Sequence, residues 1–105
     1  MYLSNKTFNV AVSYKIDDRL CRDYWNITVY CRTRNLFNAD MVADYDTISK
    51  VIEDNLASDV LNNLVEFNPT EELMAKWICE QIVPCYKVRI DTTDGRTIIY
   101  EEEEI

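Results

Sequence analysis

The hydrophobic pattern changes period along the chain, and this change constrains the fold more than any other feature. Larger apolar side chains occupy alternate positions in residues 8–14 and again in 25–32, as in strands that bury one face. From Ile48 to Leu56 the apolar residues are three and four apart, which places them on one side of a helix. Alternation returns in the last quarter of the chain. The predicted order is strand, strand, helix, helix, strand, strand.

Polar segments separate these elements. Residues 15–22 form the predicted loop across which the first two strands pair antiparallel, and a coil is predicted through 35–38. Asp44 or Asp46 then caps the first helix, because a carboxylate accepts hydrogen bonds from the unpaired N–H groups of the first turn. The helix is expected to fray around 57–59. A further apolar turn follows, formed by Val60, Leu61 and Leu64.

The second helix has the clearest start. Asn68 is a good N-cap, Pro69 suits the first helical position, and Glu71 can close a capping box. Pro84 ends the helix, because proline lacks the N–H that a helix interior requires. Five residues at helical spacing form its predicted buried stripe: Leu73, Met74, Trp77, Ile78 and Ile82.

The last quarter predicts a β-hairpin. Residues 86–90 and 97–100 alternate on either side of Asp94 and Gly95, a pair that favours a tight turn. The acidic run Glu101–Glu104 is interpreted as a solvated strand end or tail that discourages aggregation. Together the elements predict an α+β fold in one domain, residues 1–105, with four antiparallel strands and two helices on one face. Because such a sheet has two edges, we expect a homo-oligomer formed through them.

Composition excludes several classes of function. The net charge of −8 argues against nucleic acid or anionic lipid as a partner, and a single glycine excludes glycine-rich phosphate loops. Histidine is absent, which removes the usual general base near neutral pH and the commonest zinc ligand. The N-terminal residues lack the pattern of a signal peptide and no apolar run is long enough to span a membrane. We therefore expect a cytoplasmic protein without membrane contact.

The cysteines are expected to be reduced and packed as small hydrophobic residues. Their spacing does not resemble the close pairs of structural zinc sites, and no CxxC motif occurs. The four positions are Cys21, Cys31, Cys79 and Cys85.

Two segments resemble the 6-pyruvoyl tetrahydropterin synthase family, which includes the 6-carboxytetrahydropterin synthases. Residues 41–48, M-V-A-D-Y followed by Ile48, are similar to the family pattern M-V-x-D-[FY]-x-x-[LI] at the entry to the first helix. Residues 68–72, N-P-T-E-E, are similar to its N-P-T-x-E segment at the start of the second. The resemblance implies the tunnelling fold (T-fold), in which several subunits close a barrel and the pockets lie between subunits.

The resemblance also implies a zinc ion held by three histidines, whose open coordination position polarises substrate oxygens. Aligned by strand, the first ligand falls near Val12 or Ser13, and the two others fall on Asp23 and Trp25. Valine and tryptophan cannot bind zinc, and one carboxylate is not a site. The sequence therefore predicts no metal and no other cofactor.

The family's remaining catalytic groups are a cysteine ahead of two of the histidines, a further histidine and an aspartate. Cys21 lies in the predicted loop near the cysteine position, and Cys21 and Asp23 are the catalytic candidates. The alternative for Cys21 is an ordinary loop or buried thiol. The further histidine falls near Ser58 or Asp59, and neither replaces an imidazole.

The family's pterin pocket is less clearly lost from this sequence than its zinc ligands and catalytic groups. In the family a glutamate in the third strand binds the guanidine-like edge of the ring, since a carboxylate accepts two parallel N–H bonds. Asp91 stands at the corresponding place, and Thr70 and Glu72 match positions near the same pocket. These three residues are the candidates for binding a pterin- or purine-like molecule. The alternatives are a hairpin residue at Asp91 and a helix cap at Thr70.

Three functions stay open on this basis. The first is a T-fold protein without catalysis that acts as an oligomeric binding or scaffold protein. The second is a metal-free enzyme acting on a pterin or purine-like substrate through Cys21, Asp23 and Asp91, since paired carboxylates do acid–base work when their pKa values differ. The third is an unrelated, small, acidic interaction domain.

Overall fold

The computed structural model describes residues 1–36 and 40–103. Two long strands, β1 (Tyr2–Ile16) and β2 (Arg19–Thr33), form an antiparallel hairpin. The C-terminal hairpin consists of β3 (Cys85–Asp91) and β4 (Thr97–Glu101), and β2 pairs antiparallel with β3. The strands form one four-stranded sheet in the order β1-β2-β3-β4. This confirms the predicted antiparallel sheet.

Strands β1 and β2 extend into the segment that polar composition predicted as a loop. Only Asp17 and Asp18 separate them, with φ angles of 49° and 66°. Aspartate tolerates this left-handed backbone, because its short polar side chain can bond locally, and two such residues make a tight hairpin turn. The predicted loop over 15–22 is therefore wrong. Cys21, expected in that loop, lies within β2.

The first helical segment begins where the sequence predicts. Asp44 caps α1 (Tyr45–Ser49), and its carboxylate accepts the backbone N–H groups of Asp46 and Thr47 at 3.1 and 3.4 Å. The pKa of Asp44 is lowered, chiefly by the hydrogen bonds from Thr47. The chain continues as one π-helical segment, Lys50–Asp54, and then forms the short helix α2 (Leu61–Leu64). Of the two capping candidates, Asp44 is therefore the cap.

The next helix, α3 (Glu71–Gln81), begins two residues later than predicted. Its N-cap is Thr70, whose hydroxyl oxygen accepts the N–H of Leu73 at 3.3 Å. The assignments of Asn68 as the cap and Pro69 as the first helical residue are wrong. Both residues precede the helix, because the threonine hydroxyl already satisfies a first-turn N–H.

The buried stripe of α3 is also rotated from the predicted one. Met74, Ile78 and Ile82 are buried as expected, whereas Leu73 is 43% exposed and Trp77 is half-buried. The buried face includes Ala75 and Cys79 instead. The apolar side of this helix is broad, so spacing alone did not determine which part of it contacts the sheet.

All helices cover one face of the sheet, as predicted. A single core forms between the helices and the sheet. Alternate residues of the strands form the sheet side of this core: Phe8, Val10, Val12, Trp25, Ile27, Val29, Cys31, Val88 and Ile90. The opposite face carries mostly polar side chains, and β1 and β4 are the two edges of the sheet. Among the described residues, no helix is long and apolar enough to cross a membrane.

The predicted C-terminal turn is confirmed. The Thr92 carbonyl accepts the N–H of Gly95 at 3.2 Å, and Gly95 takes a φ of 88°, which glycine adopts without a Cβ clash. Glu101 ends β4, and Glu102 and Glu103 follow it, all exposed. Parts of the predicted coil and acidic run lie outside the described residues, namely Phe37, Asn38 and Glu104.

Candidate functional site

A polar cluster lies where the β3–β4 turn meets the N-terminus of α3. A cleft of about 230 Å³ opens there between the end of β1 and the helix. Its lining residues come from three separate parts of the chain: Tyr14, Ile16, Asn68, Pro69, Thr70, Glu71 and Arg96. The cleft thus contains the segment that resembles N-P-T-x-E.

Glu71 and Arg96 form the central ion pair of this cluster. A guanidinium N–H of Arg96 donates to the Glu71 carboxylate at 2.7 Å, and the Glu71 side chain is only 11% exposed. Arg96 also donates to Asp94 at 3.0 Å. Glu71, followed by Asp94, raises the pKa of Arg96. The nearly buried carboxylate is therefore compensated by a charge-assisted hydrogen bond.

Neighbouring polar groups extend the cluster. The Thr92 hydroxyl donates to Asp94 and, with Arg96, lowers the pKa of Asp94. Tyr14 lines the same cleft, and its pKa is raised first by burial and then by the negative charge of Glu71. The cluster therefore joins groups from β1, from α3 and from the β3–β4 turn.

The catalytic candidates lie beside this cluster, on β2. Cys21 is directly opposite Tyr14 in the strand register, and its thiol donates only a long contact of 3.8 Å to the Arg19 carbonyl. The Asp23 carboxylate accepts hydrogen bonds from the Thr93 hydroxyl and from the N–H of Tyr24. Asp23 thereby anchors the β3–β4 turn to β2.

The positions that the resemblance assigns to zinc lie under the cleft. Val12 is opposite Asp23 in the strand register, and Trp25 is two residues further along β2. Val12 is 2% exposed and Trp25 is fully buried, with its ring 6.3 Å from that of Tyr14. Neither side chain offers a ligand atom for zinc, so this set does not fit a three-ligand metal ion. The described part of the chain brings together no other group of three metal-ligating side chains.

The binding candidates do not meet within one chain. Thr70 lines the cleft as the cap of α3, whereas Glu72 is exposed on the helix surface. Asp91 faces the uncovered side of the sheet, because its neighbour Ile90 is buried in the core. The Asp91 carboxylate accepts two hydrogen bonds from Arg89, at 2.9 and 3.1 Å, and these lower its pKa.

Ser58 and Asp59, at the position of the family's further histidine, have a structural role. The Asp59 carboxylate accepts the N–H of Val60 at 2.7 Å and an amide N–H of Asn63 at 3.0 Å, at the start of α2. The Ser58 hydroxyl donates to the Asn55 carbonyl. These two residues therefore hold the connection between the first helical segment and α2.

The ion pair between Glu71 and Arg96 was not predicted from the sequence. Glu71 was interpreted as part of a capping box, but its carboxylate points to the β3–β4 turn instead. The partners are 25 residues apart in sequence, so no local spacing could indicate the contact. The one available signal was an acidic residue at a helix start beside an otherwise apolar surface.

The family comparison agrees with this architecture. The family model of 6-pyruvoyl tetrahydropterin synthase matches residues 7–103, from within β1 to beyond β4. No curated protein matches the chain significantly in sequence. Because the family match spans nearly the whole chain, the protein belongs to the 6-pyruvoyl tetrahydropterin synthase family.

Proposed function

We propose that this protein has lost the zinc site and the lyase activity of its family, and that it acts as an oligomeric binding or scaffold protein. The observation that carries the proposal is Trp25. This residue occupies a position that the resemblance assigns to a zinc ligand, and its side chain is fully buried in the core. Family membership overturns the alternative of an unrelated acidic interaction domain.

The proposed loss of chemistry is supported by the residues around Trp25. Val12 is as apolar as the tryptophan, and the chain contains no histidine. Asp23 is engaged by Thr93 and by the backbone of Tyr24. Three ligands and the further histidine would all have to be replaced for the family's mechanism to operate, and no group nearby supplies an imidazole.

The proposed oligomer is supported by the sheet. The edge strand β1 is 15 residues long, and its outer backbone groups have no partner strand among the described residues. Such an edge favours pairing with another chain. The uncovered sheet face would then line the interior of a closed assembly, and a site would lie between subunits.

A pterin- or purine-like molecule is the ligand we propose for such a site. Asp91 lies on the uncovered face and presents a carboxylate that already accepts two parallel hydrogen bonds from Arg89. The guanidine-like edge of a pterin makes the same pair of contacts. Arg89 is 43% exposed, so the ligand could displace it toward solvent. Thr70 and Glu72 of a neighbouring subunit would complete the pocket. The proposal includes a cytoplasmic location and no nucleic acid partner.

Native mass spectrometry tests this function. The protein is produced with zinc in the medium, and the mass of the intact assembly gives its subunit number, bound metal and any retained small molecule. We expect a closed oligomer without stoichiometric zinc, and no consumption of a dihydropterin triphosphate by the same sample. Stoichiometric zinc or turnover would contradict the proposal. Turnover that disappears in Cys21→Ala would establish the metal-free enzyme instead.

The ligand has its own test. Binding of a pterin to the assembly is measured by quenching of the ligand's fluorescence, with Asp91→Asn as the variant and Asp94→Asn as the matched control. We expect Asp91→Asn to weaken binding at least about tenfold, since it removes one of two charge-assisted bonds. Equal binding by both variants would rule out Asp91 as the ligand-binding carboxylate.

A further inference from the structure

A thiol cluster lies at the opposite end of α3 from the cleft. Cys79 is in the last turn of α3 and Cys85 is the first residue of β3, and their sulfur atoms are 3.4 Å apart. Cys31 is opposite Cys85 in the register of β2 and β3. All of these are free thiols. The proposed binding or scaffold function uses none of them.

The geometry brings Cys79 and Cys85 within reach of a covalent bond. Each is nearly buried, with 5% and 7% of its surface exposed. A disulfide needs a sulfur–sulfur distance of about 2.05 Å, so the two sulfurs must approach by roughly 1.3 Å.

The two thiols are not equivalent. The Cys85 thiol donates its hydrogen to the Cys79 sulfur, which lowers the pKa of Cys79 and raises that of Cys85. Burial raises the pKa of Cys31 to about 11. The thiolate is the form that reacts with oxidants. Cys79 is therefore the nucleophile of the cluster, and Cys85 is placed to react with it in a second step.

A cleft gives small molecules access to the pair. It has a volume of about 510 Å³ and is lined by both cysteines together with Arg32 of β2, Glu80 of α3, Tyr86 of β3 and Glu102, which follows β4. Its size and openness admit a hydroperoxide. The fully buried Cys31 does not line this cleft.

We propose that Cys79 and Cys85 form a reversible disulfide when the protein meets a hydroperoxide. The Cys79 thiolate attacks the terminal peroxide oxygen and becomes a sulfenic acid, while the O–O bond breaks and the other oxygen leaves as water or alcohol after protonation. The Cys85 sulfur then attacks the Cys79 sulfur and expels water. In sum, two thiols lose two electrons and two protons, and the peroxide is reduced. A dithiol reductant reverses the change.

The disulfide would join the C-terminal turn of α3 to the start of β3. It would therefore restrain the C-terminal end of the helix on the sheet. This inference is independent of the proposed function, because it involves neither the zinc positions nor the ligand candidates.

Peptide mapping after treatment with hydrogen peroxide tests the proposal. Trypsin cleaves after Lys76 and Lys87, so Cys79 and Cys85 fall in one peptide, residues 77–87, while Cys31 falls in 23–32 and Cys21 in 20–22. We expect the 77–87 peptide to become lighter by two hydrogen atoms and to regain its mass on reduction. A cross-link between 77–87 and 23–32, oxygen addition without a disulfide, or an unchanged peptide would each overturn the proposal.

Variants identify the order of the two steps. In Cys85→Ser the sulfenic acid on Cys79 cannot be resolved, so dimedone is expected to label residue 79. In Cys79→Ser we expect no dimedone label at Cys85. The matched control is Cys21→Ser, which should form the 77–87 disulfide at the rate of the unmodified protein. Labelling of Cys85 in the Cys79→Ser variant at the same rate would show that the assigned nucleophile is wrong.

Discussion

The two ends of α3 differ in the chemistry that holds them to the sheet. At the N-terminal end, Thr70 caps the helix and Glu71 binds Arg96 of the β3–β4 turn. At the C-terminal end, Cys79 contacts Cys85, both almost buried. One end thus depends on an ion pair whose guanidinium is half exposed to water, and the other on close packing of two thiols.

This difference indicates which end of α3 responds to pH and salt and which end responds to oxidants. Charges respond to pH and salt, because protonation and screening weaken ion pairs. Cys31 and Cys85, whose pKa values are raised, stay neutral at ordinary pH, whereas the pKa of Cys79 is lowered and its thiolate responds to oxidants. The apolar core between the two ends supplies most of the stability and responds to neither.

The largest expected effect comes from the core beneath the charged end. Trp25→Ala removes a fully buried indole and leaves a cavity, so the free energy of unfolding should fall by about 3–5 kcal/mol. Urea denaturation measures the change. The control is Tyr24→Ala on the same strand, where the side chain is 71% exposed and the expected change is about 0.5 kcal/mol. Equal losses would show that Trp25 does not pack as described.

The corresponding change beneath the thiol end is Ile78→Ala. Ile78 is fully buried on α3, and its truncation should lower the free energy of unfolding by about 2–4 kcal/mol. Leu73→Ala on the same helix is the control, because this side chain is 43% exposed, and its loss should cost about 1 kcal/mol or less. Equal losses in the two variants would restore the buried stripe predicted from sequence, which contains both residues.

A smaller effect is expected when the ion pair is broken at the charged end. Glu71→Gln should lower the melting temperature by a few degrees, because the nearly buried oxygen loses its charge-assisted partner while Arg96 retains Asp94. Added salt should shrink the difference from the unmodified protein. Glu72→Gln removes the same charge from the next, exposed residue and should leave the melting temperature unchanged. Equal shifts in both variants would indicate a general charge effect.

The smallest effect is the acid dependence of the β3–β4 turn. The pKa of Asp94 is lower in the folded protein than in the unfolded chain, chiefly through Thr92 and then Arg96. Its contribution to stability is therefore complete above the ordinary pKa of about 3.9 and is lost as the pH falls through the lower, folded value. The protection of the turn amides against exchange should fall below about pH 4.

Asp94→Asn should flatten this dependence, because the amide carries no titrating proton. The amides at the start of β3 serve as the internal control, since the neighbouring thiols do not ionise in acid. If amide exchange in the turn has the same acid dependence in the unmodified protein and in Asp94→Asn, the role assigned to Asp94 is wrong.

The sequence predicted the order of elements because each has a strong local pattern. Alternation identified the four strands, and the spacing of Ile48, Val51, Ile52 and Leu56 identified the first helical segment. Prediction from the local pattern was wrong where the structure depends on contacts between residues distant in sequence. The cap at Thr70 in place of Asn68 and the exposure of Leu73 follow from how α3 lies on the sheet. The full length of the β1–β2 hairpin was missed because polar residues at its end pair through backbone groups, which composition does not reveal.

The candidate site shows the same division. The resemblance to the family singled out Thr70, Glu72 and Asp91, and their role in binding stays a prediction. The partner of Glu71 and the pairing of Cys79 with Cys85 could not be read from spacing. The first joins residues across the core, and the second depends on how the chain turns between α3 and β3.

By itself, the sequence determined the fold class and the absence of histidine, since both follow from residue identity and local period. Tertiary structure decided what the remaining polar groups do: Glu71 pairs with Arg96, and Asp23 holds the β3–β4 turn. The physical reason is the range of the interactions. Hydrophobic periodicity depends only on residues close in sequence. Long-range hydrogen bonds and ion pairs form where packing of the apolar core brings their partners together.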